Sequence, residues 1–99
     1  MMKKYIAIGH WKYTDNITCV TSTNSSDKWF REDLKANEFI PYVTFSEKKF
    51  ESFRTMDLLD IFHEVKKLTS NYRRWNEVSE YIFGCYNFIE YRLNGNEQQ

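Results

Sequence analysis

His10 and His63 are the only histidines of the chain, and Cys19 and Cys85 its only cysteines. Neither histidine has a cysteine at ligand spacing, so no zinc pattern can be drawn. A Cys–His nucleophile pair requires a contact in space that spacing does not show. His10 alternates in phase with Ile6 and Ile8, which places it on a sheet face near a strand end. His63 sits among Asp60, Glu64 and Lys67, on the polar side of a helical pattern. Structural or solvated roles suit both. Glycine occurs only at Gly9, Gly84 and Gly95, too sparsely for a phosphate-cradling loop. No catalytic, cofactor-binding or metal-binding residue is assigned, no cofactor is implied, and no enzyme is expected.

The most informative polar cluster is KKLTSNYRRW, from Lys66 to Trp75. Lys66 and Lys67 end one helical pattern, where cations complement the macrodipole. Arg73 and Arg74 open the next, where the dipole disfavours them. Glu77 stands at i+4 and i+3 from these arginines and offsets part of that cost. Tyr72 and Trp75 flank them with rings suited to stacking. Lys66, Lys67, Tyr72, Arg73 and Arg74 are therefore the candidate partner-binding residues, for an acidic protein surface or for a phosphate backbone and an unstacked base. The plainer alternative is a solvated corner with Trp75 turned into the core. A second candidate surface is aromatic: Tyr5, Trp11 and Tyr13 fall on the strand face opposite Ile6 and Ile8. They lie either under the first helix with Trp29 and Phe30 or in solvent, where Tyr and Trp anchor protein partners.

The elements that must carry these groups follow from periodicity. Lys4–Trp11 and Ile17–Thr23 alternate as two strands of a hairpin across the turn residues of 12–16. Ser25 and Ser26 offer N-caps to a short helix, Asp27–Ala36, with Trp29, Phe30 and Leu34 on its apolar face and Asn37 as its stop. Glu38–Phe45 returns as a strand. Pro41 within it cannot donate a ladder hydrogen bond, so this strand belongs at an edge. Ser46 caps a short helix, Glu47–Arg54, with Phe45 and Phe50 at the spacing of a hydrophobic staple. A longer helix restarts at 55–57 and buries Leu58, Ile61, Phe62, Val65 and Leu68. Ser70 and Asn71 break it.

Trp75, Val78, Ile82, Cys85, Ile89 and Leu93 then recur at steps of three and four, the mark of one long helix from Tyr72 to Leu93. At about 1.5 Å per residue it would span roughly 33 Å. Gly84 inside it costs roughly 1 kcal/mol relative to alanine and is best explained by close approach of another element, the alternative being a pocket where a ligand or partner meets bare backbone. The expected fold class is α+β: a three-stranded mixed sheet (ββαβ) covered by a C-terminal helical region with a long last helix. The first strand is placed between the other two and antiparallel to both. The order 1-2-3 is the alternative.

With 99 residues, one domain spanning 1–99 is expected. An apolar fraction of 41%, with 18% aromatic, suffices for a core and argues against disorder. Fourteen basic residues balance fourteen acidic ones, so no whole-molecule field draws the chain to nucleic acid or membrane. No apolar run reaches the roughly 18 residues of a membrane span. The opening MMKKYIAIGH has too short an apolar run for a signal-peptide core. Two reduced thiols and a cytoplasmic location are expected.

The strings KKYIAIGH, NITCV, NEFIPYV and LTSNYRRW resemble small proteins carried by phages and other mobile elements of Gram-positive bacteria, among them anti-CRISPR and other anti-defence inhibitors. The likeness runs along nearly the whole chain and carries over no functional residue. It implies a non-enzymatic inhibitor in the bacterial cytoplasm whose partner is a larger host protein, such as a Cas9-type CRISPR nuclease blocked at its DNA channel, its PAM-reading site or its nuclease domain. Zero net charge makes wholesale DNA mimicry the least fitting of these routes, although Asp57, Asp60, Glu64, Glu77 and Glu80 could form an acidic strip. The alternative is a nucleic-acid-binding module on the Lys66–Trp75 corner. The sequence leaves the oligomeric state open.

Overall fold

The computed structural model describes residues 2–69, 74–84 and 91–92. Strands β1 (Lys3–Trp11) and β2 (Thr18–Asn24) form a hairpin, followed by helix α1 (Asp27–Ala36) and strand β3 (Phe39–Ser46). Helix α2 (Glu47–Glu51) runs into a 3-10 turn at Ser52–Thr55. Helices α3 (Leu58–Leu68) and α4 (Trp75–Gly84) come next, and Tyr91–Arg92 form a short strand, β4. The sheet order is β3-β1-β2-β4, with β1 antiparallel to both β2 and β3 as the sequence predicts. The class is α+β.

Two expectations need correction. The sheet has four strands, because Tyr91 and Arg92 pair in parallel with Val20 and Thr21 on the outer edge of β2. The long last helix to Leu93 is ruled out by the same pairing, and the described helix is the ten residues Trp75–Gly84. Val78 and Ile82 are buried on it as the stripe predicts. Cys85, Ile89 and Leu93 lie outside the described residues. Gly84 is exposed, and among the described residues beyond its own helix backbone and chain neighbours no atom lies within 4 Å of a Cβ built there.

Close approach occurs instead at Gly9. The β1–β3 register passes from Ile8↔Val43 to Gly9↔Pro41, which leaves Tyr42 as the extra residue of a bulge. A Cβ at Gly9 would stand 2.7 Å from Pro41 Cα and nearer still to the Ile40 carbonyl oxygen. Pro41 does sit on an edge strand.

The caps follow the sequence. Ser26 Oγ accepts the Trp29 N–H at 3.3 Å, Ser46 Oγ the Lys49 N–H at 3.2 Å, and Asp57 Oδ1 the Asp60 N–H at 2.9 Å. Phe45 and Phe50 close the staple with ring centroids 5.9 Å apart. Past Asn37, Glu38 adopts φ +62° and donates its N–H to the Lys35 carbonyl at 3.1 Å, a left-handed helix end made without glycine.

The sheet is covered on both faces. Tyr5, Ala7, Val20 and Phe39 meet Phe30 and Leu34 of α1. Ile6, Ile8, Cys19, Val43 and Phe45 meet Phe50, Phe53, Ile61, Val65, Val78 and Ile82 on the other face. The two isoleucines of β1 thus face the α3–α4 pair, as alternation implies. The apolar stripes are narrower than expected. Trp29 is 56% exposed on α1, and Leu58 and Leu68 lie open on α3.

Candidate functional site

The basic corner forms where α3 ends beside the start of α4. Tyr72 and Arg73 lie outside the described residues; Lys66, Lys67 and Arg74 do not. Each of these three cations is held within the molecule. Lys66 Nζ stands 5.1 Å from the Trp75 ring centroid and 5.7 Å from that of Phe62. Lys67 Nζ lies 3.3 Å from Glu64 Oε2, while Lys49 from α2 meets Glu64 Oε1 at 2.9 Å. These two ammonium groups hold the Glu64 carboxyl below its ordinary range, first by their hydrogen bonds and then by charge, Lys49 leading.

Arg74 is the most engaged of the three. Its Nε pairs with Glu77, as the i+3 spacing predicts. One terminal nitrogen donates to the Asp15 carbonyl at 3.0 Å, and the guanidinium lies 5.2 Å from the Tyr42 ring centroid. It therefore ties the β1–β2 turn and the edge strand to the head of α4. Trp75 is half-buried against the core, edge-on to Phe62, and its Nε1–H donates to the Thr69 carbonyl at 3.1 Å. Trp75 is thus turned toward the core, while Tyr72 and Arg73, on which the binding reading also rests, lie outside the described residues.

The aromatic surface divides. Tyr5 is buried and stacks on Phe30 at 5.4 Å. Trp11 is half-buried, edge-on to Phe39 at 5.1 Å. Tyr13 is 78% exposed, lying parallel to Trp11 with centroids 6.3 Å apart. Tyr13, Trp11 and Phe39 thus make a row of rings that begins in the core under α1 and ends in solvent. Sequence alternation picked out Tyr5, Trp11 and Tyr13 but could not tell which of these rings α1 would cover.

A second surface has no counterpart in the sequence reading. Leu58, Leu59 and Phe62 of α3 and Asn76, Ser79 and Glu80 of α4 line an apolar groove of about 410 Å³. Leu59 is 62% exposed and Phe83, one turn beyond Ser79 on α4, 45%. The available signal was the Leu58–Leu59 pair: neighbours on a helix point about 100° apart, so one of two adjacent leucines leaves any single stripe.

His10 Nδ1 lies 2.7 Å from the Trp11 carbonyl, with its ring 5.5 Å from Tyr42. His63 is exposed on α3 beside Phe62. Cys19 is fully buried on β2. Among the described residues no group of three or more His, Cys, Asp or Glu converges as a metal site would, and no helix is long and apolar enough to cross a membrane. No protein-family model, curated protein or solved structure matches the chain.

Proposed function

We propose that this chain is a small binding protein that works by occupying a surface of a larger protein. The supporting observation is the ring row Tyr13–Trp11–Phe39, rigid at its buried end and open at its tip. Tyrosine and tryptophan dominate the energetics of protein interfaces because they bury large area at small entropic cost. A ring already held by its neighbours loses little freedom on binding. In its specific form the proposal is an anti-defence inhibitor acting on a CRISPR nuclease of the Cas9 type or another bacterial defence protein, the partner that the sequence resemblance implies.

A nucleic-acid module on the Lys66–Trp75 corner has less to draw on. The Trp75 indole is docked on the core and bonded to Thr69, and Arg74 is held by Glu77 and Asp15, so neither is poised for a base or a phosphate. Binding of short single- or double-stranded DNA with a steep salt dependence would reinstate that reading.

The test is a plasmid-cleavage assay with a Cas9-type nuclease and guide RNA, titrated with the protein, alongside capture from a bacterial lysate on immobilised protein. Inhibition or specific capture should fall more than tenfold for Tyr13→Ala, which removes a solvent-facing ring and leaves the fold intact. Wild-type protein that inhibits nothing and retains nothing above bare resin would overturn the proposal.

A further inference from the structure

The α3–α4 groove lies on the opposite side of the sheet from the ring row, and its charge is polarised along its length. At one end Lys66 sits over Phe62 and Trp75. Glu80 lines its middle, and at the other end Asp57 caps α3 beside Leu58. Lys66 lies within 5.1 Å of Trp75, so the last turn of α3 is level with the first turn of α4 and the helices run antiparallel. Glu80, five residues or about 7.5 Å further along α4, is then level with Ile61, just past Phe62 from Lys66. An apolar strip that is basic at one end and acidic at the other is complementary to itself under a two-fold rotation. Such a rotation lays the basic end of each copy on the acidic part of its partner. Zero net charge leaves no whole-molecule repulsion to oppose the pairing.

We propose that a second copy of this chain docks on the groove. The two α3–α4 pairs lie face to face about an axis between Phe62 and Lys66, with Leu59 and Phe83 covered and Lys66 of each protomer opposite Glu80 of its partner. The Tyr13–Trp11 row of each protomer stays open on the outer side.

The experiment is sedimentation velocity on the full chain from about 1 to 100 µM. Wild type should sediment at twice the 12.1 kDa chain mass. Leu59→Asp should shift it to monomer, with far-UV circular dichroism unchanged because the leucine is 62% exposed. Lys66→Glu and Glu80→Lys each set like charges against each other twice and should weaken the dimer more than tenfold. Mixing these two variants should restore association, because in the mixed dimer both contacts are again ion pairs, one of the native sense and one with its charges reversed. That recovery needs no assumption about either variant's own stability. A monomer at 100 µM overturns the proposal. So does a dimer indifferent to Leu59→Asp and to both charge reversals, which would have to use another face.

Discussion

At Gly9 one added methyl would meet the backbone of Ile40 and Pro41, which cannot swing aside as a side chain would. Gly9→Ala should therefore cost about 1–3 kcal/mol, read as a lowered urea midpoint. Glu38 presents the opposite case. Its φ of +62° is unfavourable for any residue with a Cβ, so Glu38→Gly should raise stability by up to about 1 kcal/mol once the flexibility that glycine adds to the unfolded chain is deducted. A lower thermal midpoint would show that the Glu38 side chain contributes something its backbone conceals. Glu64 links structure to pH. Its folded pKa lies below the ordinary 4.5, so its contribution is fully present above that value and is lost as pH falls through the folded pKa. Glu64→Gln should flatten that part of the acid-unfolding curve. None of the three effects was visible in the sequence. Pro41 announced an edge strand, but the bulge that presses it on Gly9 depends on register, and Glu64's second lysine comes from a different helix.

Among the elements, caps and stripes were the most legible features because they are local. Ser26, Ser46 and the Phe45–Phe50 staple needed only spacing to be read. Ser46→Ala should cost about 1 kcal/mol by leaving the Lys49 N–H without its acceptor. Ile82, 1% exposed between α3 and the sheet, should cost about 2–5 kcal/mol on truncation to alanine, and an unchanged thermal midpoint would mean α4 is packed the other way round. The last helix was overread for a physical reason. Steps of three and four continue through Ile89 and Leu93, yet periodicity does not register that the outer edge of β2 has backbone groups needing partners, and Tyr91–Arg92 supply them. At the basic corner the Arg74–Glu77 pair was legible from its i+3 spacing, whereas the Asp15 carbonyl that also holds Arg74 comes from a turn 59 residues earlier in the chain.

For the whole molecule, the sheet closes on contacts far apart in sequence, and its strands differ in how firmly they are held. β1 is paired on both sides, while β4 joins β2 through two residues. In hydrogen exchange the β1 amides should open only with global unfolding, and the outward amides of β2 near Val20 should exchange sooner. The central place of β1 also bears on synthesis. A hairpin such as β1–β2 forms in about 1–10 µs, whereas at roughly 5–20 residues per second the ribosome takes about 1–4 s more to deliver β3. Through that interval β1 presents an open edge flanked by Ile6 and Ile8, the geometry that templates strand addition by another chain. A fragment ending at Asn37 should therefore aggregate on release, with rising light scattering, while one ending at Thr55 carries its own edge cover and should stay dispersed longer.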